Sequence, residues 1–269
     1  MKSKVAFIGA GRMASAMVDG LIASESLAPE SITICSARGD SARALAARTG
    51  ANAASDAPAA VADADIVVVA FKPQHLAGVT AELQAATAGK LIVSVLAAKT
   101  LAQLRRAFPE ARNIVRSMPN TPSSIRAGLT GWTAGQELAA NDRDEVLGLF
   151  SAIGRHLEVP EEKMDALMAI SGCGPAFVFE FTAALRDAGI AAGLTTSEAE
   201  YLSAETVLGA ARLMARSEHS PEALRDQVTS PNGTTYAGLQ VLAAGKFRDL
   251  MRDTVAAAKA RSAELARDA

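Results

Sequence analysis

Two glycines and an alanine near the amino terminus have the spacing of a dinucleotide-binding turn. Gly9, Gly11 and Ala14 follow a short apolar run, Val5–Ile8, and a helical pattern begins directly after it. Gly9 allows a tight turn from strand to helix, Gly11 lets the backbone approach a pyrophosphate, and Ala14 lets helix and strand pack closely. The helix start presents free N–H groups and a partial positive charge to the phosphates. The motif predicts a dinucleotide cofactor, which favours a redox enzyme.

The residues after the second predicted strand bear on the choice between NADPH and NADH. Ser36 and Arg38 stand there, and Asp40 comes two residues after Arg38. An acid at this point binds the ribose 2′-hydroxyl of NAD, whereas a hydroxyl and a guanidinium suit the 2′-phosphate of NADP. The pattern favours NADPH, with NADH as the second choice. The alternative is that Arg38 is only a solvated loop residue.

A loop with a lysine follows the predicted strand Ile66–Phe71. Lys72 and Pro73 stand at the carboxyl end of that strand, where doubly wound sheets bind their ligands. Lys72 is either a cofactor contact or an ordinary loop cation.

Three later segments are too rich in Pro, Gly, Asn and Thr to be plain connectors, namely residues 118–122, 171–176 and 230–235. The last of them stands just before a helical pattern. Small residues with free N–H groups at a helix start form a nest for an anion such as a carboxylate. Taken alone, each segment is better explained by a turn with an N-cap.

The elements that position these residues fall into two groups. Strand signals separated by Ala-rich helical stretches run through residues 1–160, which predicts a parallel sheet with helices on both faces. After that point the pattern is helical, with Ser197 and Glu200 as a capping box. We therefore predict an α/β protein with a Rossmann-type dinucleotide-binding domain at residues 1–160 and an all-α domain at residues 161–269. The strand candidates are Val5–Ile8, Ile32–Ser36, Ile66–Phe71, Leu91–Val95 and Asn113–Arg116, with weaker ones at Leu129–Thr133 and His156–Val159.

Charge and composition argue against several classes of partner. The formal net charge is −2 and the longest obvious apolar run, Ile66–Phe71, is strand-sized, so neither nucleic acid nor a membrane is expected. Cys35 and Cys173 have neither disulfide nor metal-ligand spacing. We expect a soluble, cytoplasmic protein without a metal. The Ala-rich helical domain exposes more apolar surface than one small core can bury, which predicts a homodimer or a larger homo-oligomer.

Taken together, the motifs resemble those of the pyrroline-5-carboxylate reductase family, from Val5 to about Leu265. The resemblance implies a Rossmann domain followed by a helical dimerisation domain that interlocks with a second subunit. It also implies reduction of the cyclic imine 1-pyrroline-5-carboxylate to L-proline with NADPH or NADH, the last step of proline biosynthesis. The segments that carry the resemblance are Gly9–Ala14, Ala70–Gln74, Met118–Pro122, Ser171–Ala176 and Val228–Thr235.

The resemblance implies roles for individual residues. Ser230, Gly233, Thr234 and Thr235 match the loop that holds the substrate, and Glu218 matches a carboxylate that shapes the pocket. The Gly233 and Thr234 N–H groups would hold the substrate carboxylate. Thr235 is the catalytic candidate, because its hydroxyl can hydrogen-bond the ring nitrogen; otherwise it only caps the helix. The implied cofactor-binding residues are Gly9, Gly11, Arg12, Met13, Ser36, Arg38, Ala70, Lys72, Pro73 and Asn120.

The chain departs from the family pattern at several positions. Cys173 replaces the usual Ser, and Asn232 replaces the first Gly of a Gly-Gly pair. Ala57 stands where an Asn is frequent, and Ala98 where Gly is usual. Asn tolerates left-handed backbone geometry, so the substrate loop can survive its substitution.

Alternatives to this activity remain. One is an imine reductase that acts on another cyclic imine, and the other is a nucleotide-sensing protein without turnover. A β-hydroxyacid dehydrogenase is disfavoured, because Lys163 lacks the Asn that follows the catalytic lysine of that family, with Leu167 in its place.

Overall fold

Eight strands form one sheet at the centre of the first part of the molecule. The computed structural model describes Met1 and residues 3–267. The strand order is β3-β2-β1-β4-β5-β6-β7-β8. The strands are β1 (Val5–Ile8), β2 (Ile32–Cys35), β3 (Asn52–Ala53), β4 (Ile66–Val69), β5 (Leu91–Ser94), β6 (Asn113–Met118), β7 (Gly128–Ala134) and β8 (Gly154–Glu158).

Helices cover the sheet on both faces, as the alternating pattern predicted. Successive side chains of a strand point to opposite faces. Accordingly, Val5 and Phe7 of β1 enter one apolar cluster, and Ala6 and Ile8 enter the other. The helices of this part are α1 (Arg12–Ala23), α2 (Asp40–Thr49), α3 (Ala57–Val61), α4 (Ala81–Ala86), α5 (Leu101–Ala107), α6 (Ala140–Ser151) and α7 (Met164–Leu167).

Two features of the sheet differ from the sequence prediction. The short strand β3 was missed, because Asn52 and Ala53 are exposed and carry no apolar alternation. Strand β7 runs antiparallel to β6, with Val115 opposite Ala134, so the sheet is not wholly parallel. A parallel crossover needs a dozen or more residues. The connection between Met118 and Gly128 is too short for one, and it holds only the 3₁₀ turn Thr121–Ile125.

The chain divides into two compact units. The first comprises Met1–Cys173 together with Ala258–Ala269, and the second comprises Gly174–Ala257. The predicted boundary at residue 160 falls earlier, because α7 and the π-helical turn Met168–Gly172 pack into the first unit through buried Met164 and Ala169. The remaining helices are α8 (Gly174–Ala191), α9 (Thr196–Arg216), α10 (Pro221–Gln227), α11 (Thr234–Ala244) and α12 (Phe247–Arg267).

The second unit has almost no core of its own. Ala199 and Ser203 are its only buried residues, and neither α8 nor α11 buries any. Large apolar side chains stand in solvent instead, with Val241 72% and Phe179 65% exposed. An exposed apolar surface of this kind indicates an interface, which agrees with the predicted oligomer.

The helical region differs from the sequence prediction in one helix cap and in the length of one apolar stretch. The capping box of α9 is formed by Thr195 and Glu198, not by Ser197 and Glu200, so the helix begins two residues earlier than expected. Among the described residues, one helical stretch, Glu161–Ala191, is by length and composition long and apolar enough to span a membrane, with a mean hydropathy of 1.4 over eighteen residues. Its apolar side chains are equally explained by a subunit interface.

Candidate active site

The turn after β1 requires glycine at its first position. Gly9 has φ +118°, and a Cβ built there would lie 2.5 Å from the carbonyl carbon and oxygen of Ala70. Parallel pairing of β1 with β4 brings these backbones together, because Ile8 lies beside Val69. A side chain on residue 9 would therefore collide with backbone that cannot yield. Gly11 differs, since a Cβ there meets nothing within 4 Å.

The start of α1 offers unpaired backbone donors to that open space. Gly11 is the N-cap residue and provides no side-chain cap, and the first turn contains no acid. The first hydrogen bond of the helix runs from the Ser15 N–H to the Gly11 carbonyl, at 2.9 Å. The preceding N–H groups, which include those of Arg12 and Met13, therefore have no partner within the helix. Open space beside free donors at a helix start fits a pyrophosphate.

The loop after β2 leaves one cation free beside this turn. Arg38 is exposed and has no ion pair in the described part of the chain, whereas Asp40 pairs with Arg43. The Ser36 hydroxyl accepts a hydrogen bond from the Ala42 N–H at 3.2 Å, which leaves its own proton free to donate. The only acid of this loop is thus neutralised, so the local charges suit a 2′-phosphate.

The loop after β4 is held against β1 by its backbone. The Ala70 N–H donates to the Ile8 carbonyl at 2.9 Å. Lys72 is exposed and is the N-cap of the 3₁₀ turn Pro73–Gly78, and its carbonyl accepts from the His75 N–H. These loops all lie at the carboxyl edge of the sheet, where the strand order reverses between β1 and β4. That edge is where open α/β sheets bind ligands.

The Asn120 side chain connects two backbone segments, which the sequence did not indicate. Its side-chain amide donates to the Ser171 carbonyl at 3.0 Å and accepts from the Leu129 N–H at 2.9 Å. The acceptor of the amide is thereby used inside the protein, and one N–H remains available to a cofactor. Asn120 therefore fastens the end of β6 to the π-helical turn at Ser171.

An ionic network around a buried arginine lies beside this edge and was not predicted from the sequence. Arg116 on β6 is 6% exposed and lies 3.1 Å from Glu161 and 3.4 Å from Asp165. The Ser262 hydroxyl donates to Asp165 at 2.8 Å, which ties the end of α12 to the first unit. The available signal was an arginine in an otherwise buried strand, since buried charges are normally paired.

Two departures from the family pattern fall on left-handed backbone. Asn232 has φ +59°, a conformation that Asn adopts more readily than other non-glycine residues. The turn thus survives the loss of glycine, as expected. Ala98, where the family has Gly, has φ +57° and carries a strain of about 1–2 kcal/mol.

The predicted substrate loop, residues 230–235, leads directly into α11. Gly233 is the N-cap of this helix and Thr235 is its second residue, so Thr235 does not cap it. The Thr235 hydroxyl is exposed and makes no hydrogen bond among the described residues. Ser230 and Glu218 are also exposed, and Glu218 lies in the connection between α9 and α10.

One predicted donor in this loop is not available. The Gly233 N–H donates to the Ser230 carbonyl at 3.0 Å, because the left-handed Asn232 closes a tight turn. The first helical bond of α11 then runs from the Ala237 N–H to the Gly233 carbonyl. The unpaired donors are therefore the N–H groups of Thr234, Thr235 and Tyr236, one residue further along than predicted.

The fold combines a glycine turn at the switch point of a Rossmann-type sheet with a helical unit that has almost no core of its own. These features are those of a two-domain NAD(P)-dependent oxidoreductase. Residues 4–98 match the family model "NADP oxidoreductase coenzyme F420-dependent", and residues 161–265 match "Pyrroline-5-carboxylate reductase dimerisation". A pyrroline-5-carboxylate reductase of Synechocystis sp. is 37% identical over 98% of this chain and 99% of its own length. The chain belongs to the pyrroline-5-carboxylate reductase family.

Solved structures agree with this membership. A pyrroline-5-carboxylate reductase from Coxiella burnetii is 35% identical, with a TM-score of 0.92 over 98% of this chain and 99% of that one. A pyrroline carboxylate reductase from Plasmodium falciparum, solved with NADP bound, is 27% identical, with a TM-score of 0.87 over 98% of each chain. The predicted fold is confirmed: a Rossmann-type domain followed by a helical dimerisation domain.

Proposed function

We propose that this protein reduces 1-pyrroline-5-carboxylate to L-proline with NADPH, in the last step of proline biosynthesis. The observation that carries the proposal is the start of α11, where three unpaired N–H groups stand beside the exposed Thr235 hydroxyl. This arrangement lies inside the segment that matches the reductase dimerisation model. The curated relatives of the same length carry the name of this reductase.

The first unit holds the cofactor. NADPH supplies a hydride to the substrate when it is bound. The N–H groups at the start of α1 hold the pyrophosphate, Ser36 and Arg38 hold the 2′-phosphate, and Lys72 adds a positive charge at the same edge. The NADP oxidoreductase model over residues 4–98 and the NADP-bound relative support this choice. NADH is a second, weaker cofactor.

The second unit holds the substrate by its charge. The N–H groups of Thr234, Thr235 and Tyr236 bind the substrate carboxylate at the positive end of α11. The Thr235 hydroxyl accepts a hydrogen bond from the protonated ring nitrogen, which gains amine character as its carbon receives the hydride. Glu218 limits the pocket around the ring. A ring imine is basic enough to arrive protonated, so the chain needs no strong acid and contributes orientation and electrostatics.

The assembly follows from the surface of the helical unit. The exposed apolar faces of α8 and α11 are covered by a second copy in a homodimer or a larger ring of dimers. The protein works in the cytoplasm, and neither nucleic acid nor membrane is among its partners.

An absorbance assay of NADPH oxidation with 1-pyrroline-5-carboxylate tests the proposal. Thr235→Ala should lower kcat by roughly tenfold or more and raise KM for the imine, because a hydrogen bond to a charged group is lost. Binding of NADPH and Tm should stay unchanged. Thr196→Ala is the matched control, since Thr196 is an exposed residue in the first turn of another helix. Wild-type turnover in Thr235→Ala would remove its catalytic role.

The same assay separates the alternatives. A nucleotide-sensing protein would bind NADPH without oxidising it on any imine. An imine reductase of different specificity would oxidise NADPH faster with a cyclic imine that lacks the carboxylate than with 1-pyrroline-5-carboxylate. The free N–H groups at the start of α11 would give such a ring no advantage.

A further inference from the structure

The first unit contains a cavity between the 3₁₀ turn Pro73–Gly78 and helix α5. Its volume is about 800 Å³. The lining comes from the 3₁₀ turn and α4, from the segment between β5 and α5, and from Met168 and Leu265. Pro73 is the only residue that it shares with the cofactor-binding set. We call this space the α5 cavity.

Lys99 lines the α5 cavity and is the unexplained group of this unit. Its side chain precedes the N-cap residue Thr100 and is only 5% exposed. In the described part of the chain, its ammonium makes no hydrogen bond and no ion pair. The ammonium is not itself enclosed, so most of the side chain is buried while its charge stays accessible at the wall of the cavity. Such a cation attracts an anion into the α5 cavity, and the described residues supply none to it.

The cavity carries a second unpaired cation and no acid. Gln103, Arg106 and Ala107 line it from one face of α5, as their spacing of three and four residues requires. Arg106 has no ion pair among the described residues. Among the described residues, neither Asp nor Glu belongs to the lining. Two uncompensated cations give the α5 cavity a positive potential that suits a dianion.

The rest of the lining is apolar. Leu76, Val79, Ala97 and Leu265 supply most of the remaining wall. A cavity of this size with an apolar wall and a few charged groups is typical of sites for small organic ligands. The matching ligand has a dianionic head and an apolar or planar body.

We propose that the α5 cavity is a second binding site, separate from the dinucleotide site, for a phosphate monoester whose head lies against Lys99 and Arg106. A phosphate monoester carries close to two negative charges near neutral pH and three acceptor oxygens. A carboxylate brings only one charge to the two cations. Occupation of the site and of the cofactor site is simultaneous.

Isothermal titration calorimetry of phenyl phosphate into the full-length protein saturated with NADPH tests the site. Phenyl phosphate has the required head and body and does not resemble a nucleotide. We expect one molecule bound per subunit. Lys99→Met should weaken this binding by roughly tenfold or more, since a charge-assisted contact is lost. Arg106→Gln, on an exposed helical surface, should weaken it as well, and Lys163→Met should leave it unchanged.

Other measurements decide against the proposal if it is wrong. Competition between phenyl phosphate and NADPH would place the ligand in the dinucleotide site instead. Equal affinity for benzoate would contradict the choice of a dianion. Absence of binding by the wild type, or full binding by Lys99→Met and Arg106→Gln together, would overturn the site. Should Lys99→Met fail to fold, Arg106→Gln alone decides between these results.

Discussion

The two glycines of the cofactor turn should respond to the same substitution in opposite ways. In Gly9→Ala, the new Cβ would lie 2.5 Å from the backbone of Ala70, on a residue with φ +118°. In Gly11→Ala, the new Cβ meets nothing within 4 Å, and φ of −80° suits any residue. The first variant should therefore damage the fold, and the second should damage only cofactor binding.

The magnitudes follow from this geometry. Backbone strain at a disallowed φ costs about 1–3 kcal/mol, and the forced separation of β1 from the loop after β4 adds to it, so about 3 kcal/mol or more is expected for Gly9→Ala. In a unit of this size, that lowers Tm by roughly 6–12 °C. For Gly11→Ala, the gain from a stiffer unfolded chain and the loss of a favourable N-cap residue nearly cancel, which keeps stability within about 1 kcal/mol.

The assay combines thermal unfolding with NADPH titration on both variants. Gly11→Ala should melt like the wild type while its Kd for NADPH rises by roughly tenfold or more, because a methyl group occupies the approach of the pyrophosphate to the helix start. An unchanged Kd in Gly11→Ala would refute the placement of the pyrophosphate. A wild-type Tm in Gly9→Ala would refute the close approach of Ala70.

Three further predictions concern the cofactor, the thiols and the interface. Arg38→Ala should raise KM for NADPH by roughly tenfold and leave KM for NADH unchanged; equal effects on both cofactors would show that Arg38 does not read the 2′-phosphate. Iodoacetamide at pH 8 should modify Cys173 and spare Cys35, because burial raises the pKa of the Cys35 thiol to about 11 and keeps it protonated; NADPH should protect Cys173, Cys173→Ser should stay active, and an inactive Cys173→Ser would contradict this interpretation. Val241→Asp should dissociate the oligomer in analytical ultracentrifugation, because a charge enters the apolar face of α11; an unchanged mass would place the interface elsewhere.

Local sequence was sufficient wherever a structure depends on neighbours in the chain. The strand β1, the glycine turn and the start of α1 were predicted within a residue, because the positive φ of Gly9 and the following helix start are local features; the close approach of Ala70 to Gly9 was seen only in the folded chain. The left-handed backbone of residue 232 was likewise consistent with its residue type, because Asn tolerates this conformation. The exposed apolar stripe of the helical unit followed from composition, since a short Ala-rich domain cannot bury it alone.

Tertiary structure decided the features that depend on residues far apart in the chain. The direction of β7 was set by the short connection from β6, and the pairing of Arg116 with Glu161 and Asp165 by the packing of α7. The residues next to Lys99 in the sequence do not indicate that its side chain lines a cavity. The wall of that cavity includes Leu265, which is far from Lys99 in the chain. The sequence therefore determined the cofactor class and the two-domain plan, through local backbone geometry and hydrophobic periodicity. Only the folded chain decided which charged side chains form ion pairs and which do not. Ion pairing depends on residues that are far apart in the sequence and come together only when the chain folds.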